Sequence, residues 1–317
     1  MEWRKFICRR GSTASLILAL LLIAVTGISL HGQGAPSKLL SIPVYHPMVL
    51  NPAFTGSKDF SNISLTTKAS KWPDTQILNY NSRLNSPDGQ FSNVGLGAYI
   101  FQEQFDESWN TGLAVAGAYH FALDRQKLNF ISLGATLKGV LAMPRESDEA
   151  PSDSLSSIFR PNMDIGVYYY GPHVFAGISA TNIFGTNTNG DSTISYSDFD
   201  RQYNFQVGYK FLISKKLGIV IEPSLLSTLD DETISDPFEH IVPYLKVYLK
   251  DFYIGSYLKD TDIFALFFQY QFPKFYTGVF LQFPRVGYLN DENIIFEVSV
   301  GLNLGKGSPT FTQHRHW

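Results

Sequence analysis

Three stretches of the chain alternate, residue by residue, between apolar and small or polar side chains. Over residues 129–140, Ile131, Leu133, Ala135, Leu137 and Gly139 fall on one face, and Ser132, Gly134, Thr136 and Lys138 on the other. Over residues 202–211, Tyr203, Phe205, Val207, Tyr209 and Phe211 oppose Asn204, Gln206, Gly208 and Lys210. Over residues 294–304, Phe296, Val298, Val300, Leu302 and Leu304 oppose Glu297, Ser299, Gly301 and Asn303. A period of two sustained over about ten residues is the rhythm and length of a membrane-crossing β-strand. A helix would mix the two sets around its circumference.

About 14 such segments lie between Asp59 and Leu304, and an even number is what a bacterial barrel needs. The connections sort themselves as well. Those after even-numbered strands are short: Gly171-Pro172-His173, Ser214-Lys215-Lys216, Lys250-Asp251 and Pro273-Lys274. Those after odd-numbered strands include the long, polar stretches 145–157, 185–199 and 230–239. In an up-and-down barrel alternate connections lie on the same side of the membrane, with short turns in the periplasm and long loops outside. The expected fold is therefore an all-β, antiparallel, transmembrane up-and-down barrel.

Charges facing lipid at mid-bilayer cost on the order of 2–4 kcal/mol each, so the polar positions of the strands should face the lumen. These are Lys138, Asp164, Asn204, Gln206, Lys210, Glu222, Lys246 and Glu297. Cross-linking and solvating the interior is the ordinary work of such residues, ahead of any selectivity role. Tyr168, Tyr169, Tyr170, Tyr203 and Trp109 fall near strand ends, where an interfacial aromatic girdle is expected.

Composition agrees with this picture without deciding it. Charged residues make up 17% of the 317-residue chain, aromatics 15%, with 17 Tyr and 25 Phe, and mean hydropathy is −0.04. Soluble domains carry roughly 25% charge. A soluble, aromatic-rich β-protein would give similar totals. The net charge of −3 and pI of about 6.2 offer no basic field for nucleic acid. The single cysteine, Cys8, precedes an apolar run and is misplaced for a lipid anchor. Without it the chain has neither disulfide nor thiolate chemistry.

That apolar run belongs to an N-terminal export signal. Arg4, Lys5, Arg9 and Arg10 precede an almost unbroken apolar stretch at 16–28, and Gly32 or Gly34 offers a small residue for cleavage. The stretch is short of the roughly 20 residues a spanning helix needs. The expected layout is a signal peptide at 1–34, a lead-in at 35–58, the barrel at 59–304 and a polar tail at 305–317. Localisation in the outer membrane follows.

A search for chemistry yields little. The seven histidines, at 31, 46, 120, 173, 240, 314 and 316, form no metal set; His314 and His316 sit in the tail, and His120 and His173 are read as caps at strand ends. No GxSxG, HExxH, CxxC or phosphate-cradling loop is present. The acidic stretches 146–153 and 230–236 lack the spacing of a dedicated calcium loop. Neither catalysis nor a cofactor is expected.

One motif goes beyond periodicity. Tyr45-His46-Pro47-Met48-Val49-Leu50 leads into Asn51-Pro52-Ala53-Phe54-Thr55-Gly56-Ser57. This resembles the entry motif of the PorP/SprF family of the Bacteroidetes, a tyrosine and a short apolar stretch followed by N-P-A-aromatic-x-G-S. Further matches keep family order to about residue 183. They include Trp72, Asn93-Val94-Gly95-Leu96-Gly97, Thr111-Gly112-Leu113, Ala118-Tyr119-His120, Arg160-Pro161-Asn162-Met163-Asp164-Ile165-Gly166 and Val174-Phe175-Ala176-Gly177-Ile178-Ser179. Ser70 and Lys71 depart from the Arg and Gln that often precede the family's tryptophan, and the chain trails past Leu304 where barrels usually end on an aromatic.

The resemblance implies a FadL-like barrel of the type IX secretion and gliding system that helps secrete, receive or anchor exported cargo such as adhesins at the cell surface. Its partners would be outer-membrane lipid, the cargo and other type IX components, some of them periplasmic. Asn51, Pro52, Ala53, Phe54, Gly56 and Trp72 carry the motif, whose two readings are a plug that closes the lumen and a docking surface. Pro47 and Pro52 remove backbone donors and Gly56 permits a positive φ, so an irregular, rigid segment at the periplasmic mouth is expected. The alternative function is a FadL-like transport barrel for small or apolar molecules.

Overall fold

The computed structural model describes residues 41–304 apart from 59, 70–74, 86–90, 105–107, 125–127, 145–157, 185–200, 232, 260–262, 273 and 285–294. The expected signal peptide, Trp72, the loops 145–157 and 185–199 and the C-terminal tail lie outside the described residues.

Fourteen strands follow one another: β1 (Ser61–Ala69), β2 (Thr75–Asn85), β3 (Phe91–Gln104), β4 (Ser108–Asp124), β5 (Asn129–Pro144), β6 (Ile158–Tyr170) and β7 (Val174–Thr181). Strand β8 comes in two pieces, Gln202–Tyr209 and Phe211–Ser214, interrupted at Lys210. Then come β9 (Ile219–Asp230), β10 (Ile241–Leu249), β11 (Phe252–Lys259), β12 (Ile263–Gln271), β13 (Phe275–Pro284) and β14 (Ile295–Leu304).

Each strand pairs antiparallel with its neighbours in sequence, and both pieces of β8 lie against β9. The sheet closes where β1 meets β14, in a register running from Ser61 opposite Leu304 to Ala69 opposite Phe296. Closure leaves no open edge, the condition for carrying strand backbone through lipid.

The alternation in the sequence becomes an inside and an outside. On β5, Leu137 is 67% exposed while its neighbour Thr136 is 1% exposed. Leu113, Leu133, Ile165, Ile178, Val207, Ile254 and Leu302 share the exposed outer face. This is the apolar band that lipid requires. The inner face carries Ser64, Thr66, Asn79, Ser132, Asp164, Asn204, Glu222, Glu297 and Ser299, all buried.

At one end of the barrel the connections 171–173, 215–218, 250–251 and 272–274 are all short, while the other end has both short ones, 105–107 and 260–262, and long ones. The long ones are 145–157, 182–201, 231–240 and 285–294. We call these the short-turn end and the long-loop end. Because β1 starts at the short-turn end, the segment preceding it enters the barrel from there.

Two expectations change at this level. Three consecutive tyrosines cannot all join a girdle, because side chains alternate along a strand. Tyr168 and Tyr170 are each 2% exposed and point inward, and only Tyr169 between them turns outward. His120 caps no strand end either. It lies within β4, fully buried on the inner face. His173 does fall in a short turn.

Candidate functional site

The lumen is not empty. Residues 41–57 fold back inside the barrel as three single turns of helix: α1 (Ile42–Tyr45), α2 (Pro47–Leu50) and a 3₁₀ turn (Pro52–Phe54). Each turn has a proline at its first or second position. There the missing N–H costs nothing and φ is pre-set for helix, while the next proline stops the turn before it. The result is a compact path with a change of direction at His46 and another at Asn51.

This segment is tied to strands all around the wall. Ser41 donates through its backbone N–H (3.1 Å) and its hydroxyl to the buried Glu297 carboxylate on β14. The Tyr45 hydroxyl sits 2.9 Å from the Val279 carbonyl and 3.1 Å from that of Phe268, between β13 and β12. His46 Nε2 meets Thr66 Oγ1 on β1 at 2.6 Å, and its Nδ1 meets Asn79 Nδ2 on β2 at 3.2 Å. Burial pushes the His46 imidazole down to about 3, with nearby Lys58 adding to the effect.

The motif residues hold the middle of the path. Asn51 Oδ1 accepts from Ala53 N at 3.0 Å, capping the 3₁₀ turn. Its Nδ2 donates to the carbonyls of Val167 (3.1 Å) on β6 and Ile178 (3.3 Å) on β7. Ser179 Oγ and Asn204 Nδ2 donate to the Leu50 carbonyl at 2.5 and 3.4 Å. The Phe54 ring lies 4.3 Å, centroid to centroid, from that of Tyr168. Pro52 and Ala53 are buried in the same turn.

At Gly56, φ is +71°, a conformation that L side chains resist, and its N–H donates to Asn81 Oδ1 at 2.7 Å. The Thr55 carbonyl takes His120 Nε2 at 2.8 Å, and His120 Nδ1 meets the Tyr170 hydroxyl at 2.9 Å.

Close approach of the lead-in explains three glycines of the strands. A Cβ at Gly95 would stand 2.1 Å from the Thr55 oxygen, and one at Gly134 2.3 Å from Ala53 N. At Gly166 it would meet Asn51 Oδ1 at 2.1 Å. The lead-in lies backbone-on-backbone against β3 and β5, and sets the Asn51 side chain against β6, because these inner positions carry no side chain.

The eight inward polar residues separate into groups. Glu297 and Asn204 bind the lead-in. Lys138 and the buried Asp164 form an ion pair of 2.7 Å towards the long-loop end, and Asp164 also accepts from Asn182 N at 2.8 Å. Gln206, Lys210, Glu222 and Lys246 line a cavity of about 120 Å³ between the lead-in and the far wall. There Lys246 lies 3.6 Å from Glu222, and the Tyr248 hydroxyl donates to Glu222 at 3.1 Å. A smaller cavity of about 40 Å³, lined by Ile42, Val49, Lys138 and Asn182 among others, lies on the opposite side of the lead-in, towards the long-loop end. The lead-in therefore separates two spaces in the lumen. Among the described residues, no three or more His, Cys, Asp or Glu side chains gather as metal ligands.

The family described as type IX secretion system membrane protein PorP/SprF matches residues 44–302. The chain belongs to the PorP/SprF family. Its match begins inside the lead-in and ends within β14, so plug and barrel fall within one family unit. No curated protein matches the chain.

Among solved structures this PorP/SprF chain is similar to BamA from Haemophilus ducreyi lacking POTRA domains 1–3, at 12% identity and a TM-score of 0.39, over 77% of this chain and 70% of that one. It is also similar to the NanC porin, at 11% identity and a TM-score of 0.34, over 78% of this chain and 100% of that one. A mutant of the Rh. blastica porin follows, at 10% identity and 0.30, over 78% and 99%. A closed 14-strand barrel with an apolar outer face, in a family of secretion-system membrane proteins, is a component of the outer membrane.

Sequence reasoning missed Ser41, Tyr45, His46, His120, Tyr168 and Tyr170 as partners within the lumen. A signal for some of them was present. His120, Tyr168 and Tyr170 sit at the inward phase of their strands, a position polar groups in lipid-spanning sheets are expected to take.

Proposed function

We propose that this PorP/SprF barrel is a non-enzymatic seat for exported cargo, such as an adhesin, at the cell surface. The connections at the long-loop end, placed outside the cell, receive or retain the cargo. The short turns meet periplasmic components of the type IX system, and lipid surrounds the apolar band. The chain reaches the outer membrane by way of a signal peptide removed at Gly32 or Gly34, and its organism uses the system in surface attachment and gliding.

What supports this reading is the lumen filled by residues 41–57. A barrel whose interior is bonded to its own chain at Glu297, Thr66, Val167, Ile178 and His120 is a rigid scaffold. A pore for solutes needs a continuous path instead. The motif residues Asn51, Pro52, Ala53, Phe54 and Gly56 serve as a plug on this reading, and the inward charges cross-link the wall.

The test is affinity purification of the tagged mature protein from detergent-solubilised outer membrane, followed by mass spectrometry. Co-recovery of an exported adhesin with type IX components, lost when 145–157 and 185–199 are shortened in a barrel that remains heat-modifiable, is the expected result. A partner-free barrel that conducts small solutes in bilayers would replace this reading with the transport one.

A further inference from the structure

The rim at the short-turn end has a chemistry of its own, independent of where cargo is held. Lys215 and Lys216 stand in the turn from β8 to β9, Lys250 in that from β10 to β11 and Lys274 in that from β12 to β13. All four are exposed. Backbone hydrogen bonds stitch these turns to their neighbours. Lys250 N donates to the Gly218 carbonyl at 3.1 Å, Gln271 N to that of Asp251 at 2.7 Å and Asn303 N to that of Lys274 at 2.8 Å. The lysines therefore share one continuous ledge whose backbone is fixed.

Two observations point to what the ledge meets. The first is charge. Its three turns carry four ammonium groups against one carboxylate, that of Asp251, a net +3 in a chain whose net charge is −3. Asp251 lies 3.9 Å from Lys250. Among the described residues, Lys215, Lys216 and Lys274 form no ion pair. The second is depth. Ile213 and Leu217, on either side of the lysine pair, are 59% and 62% exposed, and the exposed Phe275 follows Lys274 directly. Rings gather at the same level: Tyr209 and Phe211 lie 4.4 Å apart, Tyr270 and Phe272 4.6 Å, and Phe272 and Phe275 4.1 Å, centroid to centroid. An apolar band that ends in aromatic rings and lysines marks the level where hydrocarbon gives way to head groups. An ammonium next in sequence to exposed apolar surface is within reach of those head groups.

We propose that this ledge binds anionic phospholipid in the leaflet at the short-turn end and selects it over zwitterionic phospholipid. Lys215, Lys216 and Lys274 donate to the lipid phosphate through charge-assisted hydrogen bonds, while the rings hold the turns at head-group depth. A zwitterionic lipid offers the same phosphate but offsets its charge with an ammonium of its own. The bound lipid gathers on the arc from β8 to β13, where the ledge runs.

The test places the full mature barrel in bilayers of equimolar phosphatidylglycerol and phosphatidylethanolamine with matched acyl chains. Extraction in mild detergent and native mass spectrometry then count the lipids that stay bound. The expected result is phosphatidylglycerol retained at least roughly fivefold over phosphatidylethanolamine, the effect of about one lysine at an anionic surface. A triple variant with Lys215→Gln, Lys216→Gln and Lys274→Gln should bring the ratio near one while the barrel stays heat-modifiable. The same three positions changed to arginine should keep the preference, and Arg201→Gln, which removes a cation at the long-loop end, should leave it unchanged. Equal retention of the two lipids in the native protein would overturn the proposal, and is the outcome that cations reserved for an acidic protein partner would give. So would an unchanged ratio in the folded glutamine variant, or a loss in the arginine variant or in Arg201→Gln as large as in the glutamine one. The comparison of the two lipids needs only the native protein, so it decides even where a variant fails to fold.

Discussion

The two halves of the lumen wall are built from different residues, and they do different things. On the arc from β2 to β7 the inner face is rich in small side chains: Gly95, Ala114, Ala116, Ser132, Gly134 and Gly166. On the arc from β8 to β12 it is made of Lys210, Glu222, Tyr244, Lys246, Tyr253, Tyr257 and Phe267. At Gly95 and Gly134 no side chain stands in the way, so the chain's own lead-in packs against strand backbone there, between the inward Tyr99, His120, Phe130, Tyr168 and Tyr170. The second arc fills its share of the interior with rings and charges that hold one another. Tyr244 and Tyr257 lie 4.9 Å apart, Tyr257 and Phe280 5.5 Å, and the Tyr253 hydroxyl donates to Gln269 at 2.8 Å. A plugged wall needs small residues and a self-supporting wall needs large ones. The same barrel carries both, and a cavity remains where they meet.

Adding side chains to the small arc should break this difference most severely. Gly95→Val combined with Gly134→Leu places carbon where Thr55 and Ala53 backbone atoms stand. Overpacking costs about 1–3 kcal/mol at each site, and here the lead-in rather than the sheet is free to yield. The expected outcome is a barrel that stays heat-modifiable while residues 41–57 become open to protease. The paired substitutions Tyr253→Leu and Phe267→Leu on the large arc should lower the barrel's own Tm and leave the lead-in protected until the barrel melts.

Next in size is His120→Leu. It removes the partner of the Thr55 carbonyl and of the Tyr170 hydroxyl, and an unsatisfied buried group costs about 1–3 kcal/mol. Faster exchange at residues 53–57 with an unchanged barrel Tm is expected, read by hydrogen–deuterium exchange.

Acid should loosen the lead-in by a graded amount. His46 is held neutral, with its value pushed from 6.5 down to about 3. Between those values the undocked segment binds a proton that the docked one does not, so docking is favoured fully above pH 6.5 and weakens as pH falls towards 3. Protease sensitivity of 41–57 should rise over that window in the native protein, and rise less in His46→Gln. The smallest effect is expected from Tyr253→Phe, which gives up one hydrogen bond to Gln269, worth about 1 kcal/mol. Its barrel Tm should fall slightly, with no change at the lead-in.

Much of this was legible in the sequence because lipid imposes a strict period of two, and a barrel has to keep it on every strand. Segments 129–140, 202–211 and 294–304 show it without ambiguity, and the long connections 145–157, 185–199 and 230–239 all follow odd-numbered strands. The plug was harder to read. Three short turns set by Pro43, Pro47 and Pro52 carry no periodicity, and nothing local says that Ser41 meets Glu297 across 256 positions. Gly95 and Gly166 were visible as motif residues and Gly134 as part of an alternating face, yet their reason, the approach of Thr55, Asn51 and Ala53, exists only once the barrel is closed. Tyr168 and Tyr170 were misplaced because a run of tyrosines near a strand end looks like a girdle until its phase is counted.

The central claim is that residues 41–57 are a docked part of the barrel. Hydrogen–deuterium exchange of the purified mature protein in detergent tests it most directly. The account predicts that the amides of Tyr45, His46, Asn51, Phe54 and Gly56, each hydrogen-bonded in the lumen, exchange as slowly as those of β4 and β5. Exchange of this segment within seconds, beside protected strands, would contradict it.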